Sequence, residues 1–307
     1  MQQKINLLDL FSGIGGFHKG LEQAGFQIGW NGFSDIDKYA NEVYQYQNKD
    51  AISLGSVTDI QGKNLPRVDA ITFGSPCQDF SVAGRRSGLE GNRSSLISEA
   101  IRLIDECQPR FFIWENVKGT FSSNNGEDFW AIIQAFINIG GYRLEWQLLN
   151  TSWFLPQNRE RIYLVGCLGK GSGSKIFPIE ENDKIYNNGS TGTKSKAKIS
   201  GAITTGEGSR RESNFVIGDF RYDEGFRWRE NCNSPTLTKK ANEVLTKTKT
   251  KIRRLTPIEC ERLQGFPDNW TKIGIDGPIS DSQRYKMCGN AVTVDVVQAV
   301  AERIYSQ

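Results

Sequence analysis

Residues 5–17 read "INLLDLFSGIGGF", and the fold turns on how they are read. The apolar run "INLLDLF" is the length of a buried strand. The glycines at 13, 15 and 16 make a turn, and "GFHKGLEQAG" has a helical pattern closed by Gly25. Strand, glycine turn and helix in that order open an α/β unit.

Working outward, the same alternation recurs. "QIGWNGFSD" (27–35) reads as a second strand, "KYANEVYQYQ" (38–47) as a helix and "DAITFG" (69–74) as a third strand. "SLISEAIRLIDEC" (95–107) is an amphipathic helix, "RFFIWENV" (110–117) a strand, "FWAIIQAFINIG" (129–140) a helix and "RIYLVGCL" (161–168) another strand. Strands alternating with helices predict a parallel, doubly wound sheet. From 170 to 250 the chain turns rich in Gly, Ser, Thr, Asn and Lys, with sparse apolar clusters at "NFVIGDFRY" and "GFRW". The α/β rhythm returns with "TPIECERLQGF", and Val292, Val296, Val300 and Ile304 place a closing helix, which Asn290 precedes and Val292 begins. No internal repeat is visible.

At 307 residues the chain has room for one large domain and a smaller one. We expect 1–168 plus 252–307 to form the large domain and 169–251 the small one. Net charge is only +3, but residues 170–254 hold 18 Lys and Arg against 10 Asp and Glu, and the remainder 20 against 25. That asymmetry suits a polyanion-facing segment or a solvated surface. There is no run of about 18 apolar residues and no secretory start, so neither a membrane nor export is expected. Six scattered cysteines and a single histidine, His18, offer no metal-ligand spacing and fit reduced thiols in a cytoplasm.

The glycine turn lets a ligand approach the backbone closely. Asp35 and Asp37 end the second strand about 20 residues on, where a carboxylate commonly meets ribose hydroxyls. Asp59, in "VTDI", offers an acceptor to an adenine amino group. Three turns at one sheet edge fit an adenosyl ligand, and without a GK[ST] element a triphosphate is disfavoured. On its loop after the third strand, "GSPCQDFS" (74–81) presents Cys77; if it is a nucleophile, His18 is the one histidine in the sequence, and what activates the thiol is open. "FFIWENVKG" ends in Glu115, a carboxylate able to carry a proton or to cap the next segment. "LPQNRERIYLVG" sets Arg159 and Arg161 two apart, on one side of an extended chain, for a substrate or for a salt bridge.

Together "DLFSGIGGF", "GSPCQDFS", "NRSSL", "ENVKG", "QNRERIYLVG", "RRLTPIECERLQGFPDNW" and "QRYKMCGNAVTVDVV", in this order, resemble the bacterial-type DNA cytosine-5 methyltransferases. The resemblance implies a Rossmann-like S-adenosylmethionine-dependent methyltransferase sheet with a second, smaller DNA target-recognition domain. It implies that Cys77 attacks carbon 6 of a cytosine while Glu115 contacts N3 and the amino group and Arg159 holds O2, with Arg161 in the same catalytic group. Carbon 5 then takes the methyl group of S-adenosyl-L-methionine, and loss of its proton expels the thiolate, so no catalytic histidine is needed.

Cofactor contacts carry over to Phe11, Gly13, Gly16, Asp35, Ile36, Asp59, Ile60, Pro76, Leu96, Asn290 and Val292. Members usually have Glu where Asp35 stands, which shortens the reach to the ribose by a methylene. The partner implied is double-stranded DNA with the target base flipped out of the stack. The loop 78–96 resembles the lid over that base, with Gln78 and Ser81 near the nucleotide and Arg85 or Arg86 near phosphate. In the basic segment Thr236 is expected to touch the target strand. Arg221, Arg227 and Arg229 would read guanines or clamp phosphates, with Lys239 and Lys240 beside them. The resemblance also suggests a monomer and a cognate restriction endonuclease acting on the same site. Two rival readings stand beside it. One is a tRNA cytosine-5 methyltransferase, whose branch typically has a second proline before the cysteine; the other is a non-catalytic DNA-binding regulator.

Overall fold

The run Leu7–Leu10 is buried on every residue. A strand apolar on both faces must have strand neighbours on both edges and helices above and below, because its backbone groups need partners away from water. The computed structural model shows this arrangement and describes residues 3–75, 96–169, 174–181, 216–221, 225–229, 245–247 and 252–306.

The chain runs β1 (Lys4–Leu10), α1 (Gly16–Gln23), β2 (Gln27–Ser34), α2 (Lys38–Gln47), β3 (Ile52–Ser53), β4 (Ala70–Gly74), α3 (Leu96–Cys107), β5 (Phe111–Val117), α4 (Glu127–Ile139), β6 (Tyr142–Asn150) and β7 (Glu160–Leu168). These strands form one sheet in the order β3-β2-β1-β4-β5-β7-β6. Side chains alternate between its faces. Ile5, Leu7, Ala70, Phe111, Ile113 and Val165 pack on one side with Phe17 and Leu21 of α1. Leu8, Leu10, Ile71, Phe73, Phe112, Trp114 and Leu164 pack on the other with Leu103 and Ile104 of α3 and Ile133 and Phe136 of α4. Each such aliphatic side chain, fully buried, contributes about 1.5–3 kcal/mol.

The order reverses between β1 and β4, so the crevice for a ligand opens beyond their carboxyl ends. Six of the seven strands point the same way, as the alternation predicts, but β7 runs antiparallel to its neighbours β5 and β6. The reason lies in the connection: 151–159 holds a short 3-10 turn (Thr151–Trp153) and no crossover helix, and a parallel return needs one. The reversal matters for the site. It brings the start of β7, not its end, to the carboxyl end of β5, where Arg161 pairs with Val117.

A separate antiparallel sheet, in the order β11-β10-β8-β9, is built from β8 (Val216–Arg221), β9 (Gly225–Arg229), β10 (Leu245–Lys247) and β11 (Ile252–Arg254). The chain then forms α5 (Pro257–Leu263), a small hairpin of β12 (Ile273–Gly274) and β13 (Gly277–Pro278), α6 (Asp281–Asn290) and α7 (Val294–Tyr305). Thr256 starts α5 with a complete capping box to Glu259 and Pro257 in the first turn. Helix α7 packs beside α1 on the first face of the sheet, through Val296, Val297, Val300 and Ile304. It begins at Val294 rather than Val292, because Ala291 is extended (φ −66°, ψ 149°) and Thr293 takes the N-cap position. The two helices touch so closely that a Cβ on Gly20 would lie 2.5 Å from Val297 Cγ1. Among the described residues no helix is long and apolar enough to cross a membrane.

Candidate active site

The crevice begins at the glycine turn. Phe11, Gly13 and Gly15 all have positive φ (50°, 53° and 85°), a backbone that glycine adopts without strain. Gly15 N donates to Ser12 O at 3.0 Å to close the turn, and Ser12 N ties it to Ser34 O on β2 at 3.1 Å. Nothing lies within 4 Å of where a Gly13 side chain would stand. Gly16 has the opposite reason: a Cβ there would meet Val292 Cγ2 at 2.6 Å, so two expected cofactor residues are in contact. Asn290, the last residue of α6, is exposed beside them in sequence.

Asp35 accepts from Gly13 N and from Asp37 N, both at 2.8 Å, which clips the β2 end to the glycine turn. Burial raises its pKa, and those backbone bonds oppose the rise. The neighbouring Ile36 is 86% exposed, an apolar side chain standing free beside a carboxylate. Asp37 caps α2 through Tyr39 N and is paired to Lys286 of α6 at 2.6 Å. Asp59 is exposed and ends a 3-10 turn, Val57–Asp59; Ile60 after it is buried. Leu96, half-buried, opens α3.

Beneath the turn lies a cluster that sequence reading missed. Asp9 is fully buried, accepts from Thr72 Oγ1 at 2.8 Å, and has Tyr44 Oη 3.2 Å from Oδ2. Tyr44 Oη is equally 3.2 Å from Asn31 Oδ1. A phenol has one proton for these two acceptors, so a protonated Asp9 donating to Tyr44 completes the chain. Burial pushes the Asp9 carboxyl up to about 8, against the Thr72 and Tyr44 bonds and with the Asp35 charge. His18 is buried on α1 with its ring edge-on to Tyr44, and burial lowers its pKa.

The second half of the crevice forms where β4, β5 and β7 meet. Gly74, the last residue of β4, pairs with Glu115 across the sheet, and a Cβ on it would stand 3.2 Å from Glu115 Oε2. Ser75 follows, buried, with its hydroxyl accepting from Trp114 Nε1 (3.1 Å) and Asn116 Nδ2 (3.2 Å). The chain is thereby pinned just before Pro76 and Cys77. Glu115 is 8% exposed, and Arg161 Nε lies 3.1 Å from its Oε1. Arg159 is placed differently. Its buried guanidinium donates to the carbonyls of Gly289 (3.4 Å) and Ala291 (3.0 Å), in the link between α6 and α7. The geometry thus gives Arg161, rather than Arg159, the place beside Glu115.

Buried amides and hydroxyls extend that bracket; Gln157, Gln264 and Thr293 stand within the stretches that carry the resemblance, but no role was read for them. Gln157 Nε2 donates to Leu263 O at 2.7 Å, and Gln264 Nε2 to Cys288 O at 2.8 Å. Thr293 Oγ1 donates to Gln264 Oε1 at 3.0 Å and meets Thr151 Oγ1 at 2.9 Å. No group of three or more His, Cys, Asp or Glu is placed to hold a metal among the described residues.

Pro76, Cys77, Gln78, Ser81, Arg85, Arg86, Thr236, Lys239 and Lys240 lie outside the described residues. Arg221 ends β8 opposite Gly225, while Arg227 and Arg229 lie on β9 opposite Asp219 and Ile217. All three therefore belong to the small sheet.

Three comparisons bear on this geometry. The sequence model of the family described as "C-5 cytosine-specific DNA methylase" matches residues 5–306. Type II methyltransferase M1.ScrFI of Lactococcus lactis subsp. cremoris is 34% identical, over 98% of this chain and 78% of that protein. Type II methyltransferase M.NlaX of Neisseria lactamica is 33% identical, over 98% of this chain and 96% of that protein. In fold, the S. pombe Dnmt2 methyltransferase crystal structure superposes with a TM-score of 0.70 at 19% identity, covering 98% of each chain.

Proposed function

The chain belongs to the C-5 cytosine-specific DNA methylase family, and from that premise we propose that it methylates carbon 5 of a cytosine flipped out of a specific short duplex DNA sequence, through a covalent Cys77 adduct. One observation carries the reading. The strand that leads to Cys77 leaves the sheet at Gly74, against the Glu115 carboxylate that Arg161 holds. The loop that carries the proposed nucleophile thus starts beside a carboxylate and a guanidinium, which supports a route that needs no histidine.

In this reading the Cys77 thiolate adds to carbon 6 of the ring. Glu115 bonds N3 and the exocyclic amino group, drawing electrons from carbon 6, and Arg161, beside it, is suited to O2. Sγ–C6 bond formation makes carbon 5 nucleophilic. After methylation, loss of the carbon-5 proton lets the Sγ–C6 bond break and returns the thiolate. Arg159 acts at one remove, by holding the carbonyls of Gly289 and Ala291.

The residues fit S-adenosyl-L-methionine, which supplies the activated methyl group. Open space at Gly13, an acceptor at Asp35, a free apolar face at Ile36 and a second acceptor at Asp59 are the features an adenosine needs. Phe11, Gly16, Ile60, Leu96, Asn290 and Val292 would complete the wall. The small sheet with Arg221, Arg227 and Arg229 is assigned to the DNA target. The Type II names of two relatives support a modification role beside an endonuclease that cuts the same sequence.

The test is transfer of a labelled methyl group to duplex DNA and, in parallel, to tRNA, followed by bisulfite sequencing of the DNA. Label is expected in DNA at one short sequence, and Cys77→Ser should lose it while still binding the cofactor. A 5-fluorocytosine duplex should trap a denaturant-resistant adduct. Label found only in tRNA, or near-wild-type turnover by Cys77→Ser, would overturn the reading.

A further inference from the structure

Glu99, Arg102 and Glu106 lie at i, i+3 and i+7 on α3, one stripe of the helix, and that stripe faces the 57–62 segment. Arg102 Nε and Nη2 both donate to Glu99 Oε2, at 2.9 and 2.7 Å, and Nη1 donates to Glu106 Oε1 at 2.7 Å. Two carboxylates therefore fix the plane of the guanidinium. Nη2 also donates to the carbonyl of Ile60 at 2.9 Å and reaches that of Val57 at 3.5 Å. Glu106 Oε2 accepts from Gly62 N at 2.6 Å. The segment lies so close to α3 that a Cβ on Gly62 would be 2.7 Å from Glu106 Cβ and 2.8 Å from Cys107 Sγ.

Ion pairs along a half-exposed helix contribute little by themselves. What sets this one apart is its backbone partners, the residues on either side of Asp59. The Asp59 side chain is exposed and, among the described residues, takes only a 3.2 Å bond from its neighbour Thr58. Nothing in its own contacts aims it, so its direction is inherited from the backbone of the turn.

We propose that Arg102 is a positioning residue for adenine recognition, holding the Val57–Ile60 turn so that the Asp59 carboxylate meets the exocyclic amino group of the cofactor. The proposal rests on the reading of Asp59 and Ile60 as the adenine contact. Arg102 itself touches neither cofactor nor reacting atoms. It acts through the Ile60 and Val57 carbonyls, and Glu106 through the Gly62 amide.

The readout is base discrimination. S-adenosylhomocysteine is titrated calorimetrically against its inosine counterpart, in which a keto oxygen replaces the amino group. The wild-type protein should prefer the adenosine form by about ten- to a hundredfold, the scale of one hydrogen bond to a carboxylate. Asp59→Asn should collapse that ratio, and a ratio left intact there would remove the adenine reading itself. With Asp59 so established, Arg102→Ala should bring the ratio to within about threefold of unity, while Arg102→Lys keeps part of it. Melting temperatures show whether each variant is folded. Should Arg102→Ala not fold, Arg102→Lys and Glu106→Gln decide: a reduced ratio supports the proposal, and a wild-type ratio overturns it. A folded Arg102→Ala with wild-type discrimination likewise overturns it, leaving Arg102 a structural ion pair.

Discussion

Asp9→Asn should change how stability depends on pH while leaving the fold in place. Asn at this position accepts from Thr72 through Oδ1 and donates to Tyr44 through Nδ2, the two contacts that a protonated Asp9 makes. The wild-type carboxyl has its pKa raised from 3.8 to about 8, chiefly by burial. A raised carboxyl pKa means that the folded protein retains a proton the unfolded chain has given up. Its contribution is therefore fully present below about pH 3.8 and is lost as the pH rises to about 8. In that window stability falls by at most about 1.4 kcal/mol per pH unit. From pH 4 to 7 this is on the order of 4 kcal/mol, a large share of a typical domain's stability. Asparagine removes the proton linkage. The measurement is urea unfolding of both proteins from pH 5 to 9, followed as the difference between them, in which other titrating groups cancel. Asn should gain on Asp steadily up to about pH 8 and then level off. A difference that stays constant with pH would show that Asp9 does not hold a proton, and the single-proton argument at Tyr44 would fail with it.

Three further outcomes are expected. Arg161→Ala should lower single-turnover methylation by at least about tenfold with near-normal cofactor affinity, whereas Arg159→Ala, by freeing buried carbonyls, should cost about 1–3 kcal/mol of stability; unfolding curves and calorimetry would refute the assignment if the two behaved alike. Gly20→Ala should destabilise by about 1–3 kcal/mol through overpacking on Val297, despite a helix-propensity gain of about 1 kcal/mol. Adding Val297→Ala should recover part of that loss, and strictly additive unfolding energies would contradict the contact. Reversing Arg229, Lys239 and Lys240 should weaken all duplexes alike, with the slope of log K against log salt becoming shallower by about 0.9 for each phosphate no longer neutralised; unchanged salt titrations would return this segment to ordinary surface.

The sequence made the centre of the fold legible where strands are apolar on both faces. β1, β4 and β5 stand where the alternation puts them, as do the turns that follow β1 and β5. It failed where the signal is weaker. β6 carries Arg143, Glu145 and Gln147 on a half-exposed edge, so no apolar run marks it. α6 is mostly polar, and its buried Arg284 is compensated by Glu261 in a way that hydrophobic periodicity does not report. Asp9 looked like one more residue of an apolar strand, because the partners that make it notable, Thr72 and Tyr44, lie far off in the chain.

The two arginines of "QNRER" show why spacing alone could not divide their roles. Two residues apart on extended chain, they lean to the same side, yet Arg161 lies inside β7 and Arg159 just before it. Antiparallel pairing sets Arg161 opposite Val117 and within 3.1 Å of Glu115, at the end of β5. Arg159, one step outside the ladder, turns into the joint between α6 and α7, where it meets the carbonyls that flank Asn290. The same joint receives Gln264 and Thr293, and its Val292 packs on Gly16 of the cofactor turn. A single strand start thus supports both halves of the crevice, one through a carboxylate and the other through two carbonyls. This explains why the last helices must return to the first strand before the site is whole: without the 289–294 segment, Arg159 would be a buried cation lacking these two acceptors, and each acceptor lost to a buried charge is costly.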